Sequence, residues 1–259
     1  MLAAYTHSCY IESQHGRLIA VLAEPLGRSP FAITVAGTPP LASLRAGDPV
    51  TVQDQELRLG PLRVDLLGAL PWDPALPPLV GPADEGMSVV VEQLRREAPA
   101  DGLARVLDEP APTGESPLVE HGRAALARLR MGLVAGDAAA VSAASVSLAG
   151  VGPGLTPSGD DVLAGLLLGL RLWSAAAGPL GFRIVASLIV GAAAPRTGRI
   201  SRAHLWAARQ GHAAQAWHDL VRALPLDPVA AAHAAARIRQ TGETSGADML
   251  AGFALAWKW

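Results

Sequence analysis

The chain has 259 residues, a formal charge of −2, and a composition that is 50% hydrophobic and only 17% charged, so one large or two small domains with a sizeable core are expected. A pI near 6.4 gives no electrostatic footprint for nucleic acid or an anionic membrane. The single cysteine, Cys9, excludes an internal disulfide and a Cys-rich zinc site, and no signal peptide opens the sequence, so a cytoplasmic location is expected.

From residue 16 to about 70, short β-like runs cover 17–22, 31–35, 50–52, 57–59 and 62–66. Turn formers such as Gly27, Gly37, Pro39-Pro40, Gly47-Asp48-Pro49 and Gly60-Pro61 separate them. This spacing predicts a small N-terminal β-barrel or sandwich in a β-rich domain over 1–80. Tyr5, His7, Cys9 and Tyr10 read as a further N-terminal strand rather than a reactive cluster. Nine prolines follow between 71 and 117, at 71, 74, 77, 78, 82, 99, 110, 112 and 117. They predict linker and crossing segments with at most one short helix, around Val89 to Glu97.

Helix signals dominate a second domain over 81–259, making the whole α+β. Ser116-Pro117 reads as an N-cap with proline at the first helical position, and that helix runs to about Val134, before Gly136. Asp137 caps the next helix. Later helices are expected over 182–194, 201–210, 213–224, from Asp227-Pro228 to before Gly242, and from Ser245 onward. The tryptophans after residue 170 read as core. No pair among His204, His212, His218 and His233 has the i, i+4 spacing of a metal-binding helix face.

The most informative stretch is Gly150-Val-Gly-Pro-Gly-Leu-Thr-Pro-Ser-Gly-Asp-Asp161, which opens a helix apolar on nearly every side. Such a helix must be buried, so its polar entrance sits at the edge of a core. Its apolar run is too short to cross a bilayer, and Gly165 and Gly169 read as close helix packing, so no membrane is expected as a partner. The segment from Ser158 to Gly165 aligns without gaps on Ser245 to Gly252, with Asp160 replaced by Ala247. This internal repeat predicts two equivalent helix starts facing one site.

Glycine-rich loops at helix starts hold anions, because unpaired N–H groups and the positive helix end point the same way. Gly152, Gly154, Thr156, Ser158 and Gly159 are therefore candidate ligand contacts for a phosphate, carboxylate or carbamoyl group. Thr197, Arg199, Ser201 and Ser245 are candidates beside them, with Arg196 and Arg202 as further positive charge. The spacing fits neither a P-loop nor a dinucleotide fingerprint. Ser158 with Asp161, and Ser245 with Asp248, also have capping-box spacing. Capping alone and catalysis therefore both remain open for Asp161 and Asp248. Asp160 has no carboxylate counterpart in the repeat, which makes it the leading candidate for chemistry and predicts little loss of stability on its removal. No motif specifies a cofactor; Mg²⁺ is compatible with the carboxylates but not indicated.

Gly152-Pro-Gly-Leu-Thr-Pro-Ser-Gly-Asp-Asp161 with Leu163-Ala-Gly165 closely resembles the signature of the AllH-like family. This bacterial family, long catalogued as a domain of unknown function, includes the AllH subunit of oxamate carbamoyltransferase. Thr197-x-x-Ile200-Ser201 is similar to its second signature, and Ser245-Gly-x-Asp248 to a third. The resemblance covers roughly 150–252 and leaves the first 140 residues without one. It implies a subunit working beside AllF-like and AllG-like proteins, with an oligomer allowed. Its implied reaction moves a carbamoyl group between phosphate and oxamate in allantoin degradation, a part of purine catabolism. The alternative is a non-catalytic ligand-binding or assembly subunit.

Overall fold

The computed structural model describes residues 1–111 and 114–259, so Pro112 lies outside the described residues. The chain forms two compact units, Met1–Pro74 and Ala75–Trp259. Together they are an α+β protein, with strands in the first unit and helices in the second.

In the first unit, β1 (Ala3–Ala4), β2 (Ser8–Glu12), β3 (Leu18–Ala23) and β4 (Ala32–Val35) form one sheet in that order. All its pairings are antiparallel except β3 with β4, which is parallel. A second, antiparallel sheet contains β5 (Val50–Gln53), β6 (Glu56–Leu59) and β7 (Leu62–Asp65). Cys9, Ile11, Val21, Leu57, Leu59 and Val64 come from both sheets into one core. No closed barrel forms among the described residues. Cys9 is fully buried, and burial pushes its thiol up to about 11, so it stays protonated and unreactive at neutral pH.

The second unit contains α1 (Asp84–Glu97), α2 (Pro117–Ala135), α3 (Ala138–Leu148), α4 (Ser158–Leu172), α5 (Phe182–Ala193), α6 (Arg199–Gln210), α7 (Gln215–Ala223), α8 (Pro228–Arg239) and α9 (Ser245–Lys258). Three caps form where their residue types predict them. Ser116 accepts from Val119 N–H, Asp137 from Ala139 and Ala140, and Asp227 from Val229 and Ala230. The proline-rich stretch is less of a linker than its composition suggests. Helix α1 is 14 residues long and, with a 3-10 turn at Leu103–Leu107, sends Met87, Val90, Leu94, Leu103 and Leu107 into the helical core. Its prolines fall outside both elements, where a missing N–H costs nothing. The tryptophan reading holds for Trp217, which packs on Phe253, but Trp206 is 44% exposed. His212 lies between α6 and α7, in an isolated antiparallel bridge with Ala75.

Helix α4 is the centre of this unit, buried at every residue from Ser158 to Leu170, and α9 lies across it. Among the described residues no single helix is long and apolar enough to cross a membrane. The internal repeat extends one helix upstream. Leu148 closes α3 and Ile238 lies in the last turn of α8. Their carbonyl oxygens approach Gly159 and Gly246 so closely that a Cβ on either glycine would lie 1.9 Å away. The offset between the copies falls from 90 residues at Asp137 and Asp227 to 87 at Ser158 and Ser245. The glycine-rich loop is therefore the longer of the two connections.

Candidate functional site

The loop from Gly150 to Pro157 is held against the start of α4 by backbone contacts that only glycine permits. Gly152 has φ of 113°, and a Cβ there would lie 2.8 Å from Ser158 N. Gly154 also has positive φ, with open space around it. Pro153, Gly154 and Leu155 are exposed, Thr156 is half-buried, and Ser158 is 1% exposed. The loop thus runs from solvent into the core within five residues.

The helix caps are not where capping-box spacing suggests. Pro157 is the N-cap of α4 and Thr244 that of α9, neither with a side-chain cap, and Ser158 and Ser245 are already inside their helices. The carboxylates instead point across the helix pair. Ser245 and Thr156 hydroxyls face Asp161, while Ser158 and Thr244 hydroxyls face Asp248. Each aspartate therefore meets the serine of the other copy of the repeat. Thr156 Oγ1 and Ser245 Oγ are 2.8 Å apart. Asp248 Oδ1 also accepts from Ala104 N–H at 2.8 Å.

This exchange is incomplete. Ser158 Oγ, Asp161 Oδ2 and Asp248 Oδ2 are buried and make no hydrogen bond of acceptable geometry among the described residues. The hydroxyls approach closely enough to favour the charged carboxylates without completing bonds to these three atoms. Burial is the larger influence. It raises Asp161 well above the usual carboxylate range and Asp248 to about 6, and each further carboxylate near Asp161 pushes the same way.

Asp160 is differently placed. It is 1% exposed, its Oδ1 accepts from Gly150 N–H at 2.9 Å, and its Oδ2 accepts from Thr197 Oγ1. Its carboxylate joins the base of the glycine-rich loop to the turn before α6. That argues against the expectation of little stability loss, since removing the acceptor leaves two donors unpaired. Asp160→Ala is expected to cost on the order of 2–4 kcal/mol, measured by urea unfolding of the helical signal. A loss below about 1 kcal/mol would show that the tie contributes little.

Thr197 and Ser201 bring the start of α6 to the same place. Ser201 Oγ lies 3.5 Å from the Leu155 carbonyl, at the outer limit of a hydrogen bond. Arg202 is turned to the carbonyls of Ala194 and Thr197 and braces that turn. Arg196 and Arg199 are exposed. Three helix starts, those of α4, α6 and α9, thus converge on one loop, and their N-terminal N–H groups favour negative charge. Sequence reasoning missed Ala104 and Thr244. Nothing in the local pattern around Ala104 marks a partner for Asp248, 144 residues away. Among the described residues no three or more His, Cys, Asp or Glu side chains group as a metal site.

Residues 148–257, which contain the loop and both repeat helices, match the model of the oxamate carbamoyltransferase subunit AllH. Residues 3–71 match the model of the AllH family N-terminal domain. The chain belongs to the AllH family. The N-terminal match corrects the expectation that the first 140 residues carry no resemblance. No curated protein and no solved structure matches the chain. The AllH match includes Asp160, Asp161 and Asp248 but not Ala104, so one partner of the buried aspartates lies outside it.

Proposed function

We propose that the chain is an AllH subunit of an oxamate carbamoyltransferase-type complex, acting on a small carboxylate or carbamoyl substrate in allantoin-derived nitrogen metabolism in the cytoplasm. The carrying observation is the meeting of three helix starts at a glycine-rich loop beside three buried polar oxygens left unpaired among the described residues. Oxamate has a carboxylate at one end and an amide at the other. Loop and helix N–H groups suit the oxyanion, and carboxylate oxygens suit the amide hydrogens. In this reading Gly152, Gly154, Thr156, Ser158, Gly159, Ser201 and Ser245 line the substrate, and Arg199 adds positive charge at the rim. Asp161 and Asp248 accept hydrogen bonds from the amide nitrogen. Asp160 and Thr197 are positioning residues, since their polar atoms are spent on each other and on Gly150.

AllF-like and AllG-like proteins are the partners proposed to complete the reaction. Calorimetry with phosphate, carbamoyl phosphate, oxamate and related small carboxylates, on the chain alone and with those partners, is expected to show binding of at least one. Thr156→Val and Ser158→Ala are expected to weaken it about tenfold, the worth of one hydrogen bond. Silence from the whole panel in both settings would leave the assembly reading. A specific observation favours that second reading too. Helix α2 exposes Met131 and Val134, at 63% and 71%, beside an open cavity of about 520 Å³ lined by Leu126, Leu255 and Trp259. Such an apolar face suits a partner protein.

A further inference from the structure

The anion site proposed above contains an electrostatic conflict. Asp161 and Asp248 are 4% and 0% exposed. Neither forms an ion pair among the described residues. The groups acting on Asp161 are hydroxyls and further carboxylates, and those acting on Asp248 are hydroxyls and the backbone N–H groups of Leu103 and Ala104. Ionised together, Asp161 and Asp248 would be two buried negative charges that helix starts offset only in part, and a bound anion would add a third. At this site the buried atoms without a hydrogen bond among the described residues are all oxygens: Asp161 Oδ2, Asp248 Oδ2 and Ser158 Oγ. The Thr156 and Ser245 hydroxyls, 2.8 Å apart, stand at the Asp161 carboxyl.

An all-oxygen group with two carboxylates suits a hard divalent cation, and two carboxylates balance its charge. Mg²⁺ commonly takes one or two protein carboxylates and completes its shell with water and the oxygens of an anionic substrate. Such a site needs no cluster of three acidic or imidazole ligands. We propose that Asp161 and Asp248 hold a divalent cation of the Mg²⁺ class, with Ser158, Thr156 and Ser245 as neutral oxygen donors. The cation carries the phosphate or carboxylate end of the anion, and this second part rests on the anion reading given above. Access is through the loop. Residues 153–155 are exposed, and Thr156, which follows them, touches both Ser245 and the Asp161 carboxyl.

The test uses the full chain freed of divalent ions by a chelator. Thermal melts and calorimetry with MgCl₂, against NaCl at matched ionic strength, are expected to show saturable Mg²⁺ binding. The accompanying rise in Tm is about 3–6 °C at ten times Kd. Asp161→Asn and Asp248→Asn keep the side-chain shape and are expected to lose the rise. Thr156→Val, at a half-buried position, is expected to weaken Mg²⁺ at least severalfold and serves if either asparagine variant fails to fold. Manganese anomalous scattering in a crystal is expected between the two aspartates. Melts indistinguishable from the sodium control, or asparagine variants that respond like the parent, would overturn the cation site. Phosphate titrated with and without Mg²⁺ separates the two readings. Mg²⁺ binding without phosphate binding upholds the cation and counts against the anion, and phosphate binding without Mg²⁺ binding does the reverse. Where both bind, a phosphate affinity unchanged by Mg²⁺ overturns the second part, that the cation carries the anion.

Discussion

Gly165→Ala and Gly252→Ala are each expected to destabilise the helical unit by about 3 kcal/mol or more, at or beyond the upper end of ordinary overpacking. The reason is the crossing of α4 and α9. A Cβ on Gly165 would lie 1.8 Å from the Met249 carbonyl oxygen, and one on Gly252 would lie 2.0 Å from that of Val162. The two contacts are the same contact made twice, related by the internal repeat. Both obstacles are backbone atoms inside helices and cannot rotate away as a side chain would. A methyl group at either glycine must therefore push two buried helices apart, and the packing between them loses dispersion contacts along its length. Gly191 is the internal control. It lies in α5, is exposed, and a methyl group added there would meet nothing within 4 Å. Gly191→Ala is expected to be neutral or to stabilise by about 0.5–1 kcal/mol, since alanine restricts the unfolded chain. Urea unfolding followed by far-UV circular dichroism compares the three. A Gly165→Ala protein within about 1 kcal/mol of the parent would show that the crossing is looser than this packing requires.

The second large effect has the opposite sign. In divalent-free buffer at pH 7.5, Asp248→Asn is expected to make the protein more stable, by up to about 3 kcal/mol. The folded chain raises Asp248 from 3.8 to about 6, chiefly by burial. The unfolded chain therefore releases this proton first. Between about pH 4 and pH 6 the unfolded state binds fewer protons than the folded state, so stability falls as pH rises, and the loss is complete above the folded value. Asparagine does not titrate. Its Oδ1 still accepts from Ala104 N–H, and its amide hydrogens meet the Ser158 hydroxyl, which has no completed bond in the parent. The difference between variant and parent should vanish near pH 4 and reach its full size above pH 7. Asp161 is shifted in the same direction for the same main reason. Asp248→Ala is the contrasting variant. It leaves Ala104 N–H unpaired and is expected to be less stable than Asp248→Asn throughout. Urea midpoints from pH 4 to pH 8 decide the matter, and a difference that does not grow with pH would remove the burial argument. A carboxylate that the fold would be more stable without is a candidate for function, because strained polar groups persist where activity uses them.

Sequence and tertiary structure divide along a physical line in this chain. Signals that act within a few residues are legible. Ser116, Asp137 and Asp227 cap their helices because a short side chain reaches N–H groups only two or three positions on. The β-runs are strands near their expected places, since alternation and turn residues are local. The repeat at Ser158 and Ser245 is visible as plain identity, and burial of α4 follows from its lack of a polar face. Helix α1 is longer than the short helix expected near Val89, because proline acts at single positions and not on a whole segment.

What the sequence does not determine is the direction of each polar group at the site. Ser158 and Asp161 have the spacing of a capping box, yet the helices cross so closely that the carboxylate finds the serine of the other repeat before its own helix start. Asp160 looks free for chemistry because Ala247 replaces it in the second copy. Its partners, Gly150 N–H and Thr197 Oγ1, belong to a loop and a turn that the second copy does not reproduce. Ala104 reaches Asp248 only because the 3-10 turn at Leu103–Leu107 packs on α9. Local pattern specifies which groups are polar and which helices must be buried. Which polar atoms at the site pair, and which oxygens there are left over, is decided by helices meeting at glycine, where backbones approach closely enough for one chain segment to occupy the hydrogen-bonding positions of another.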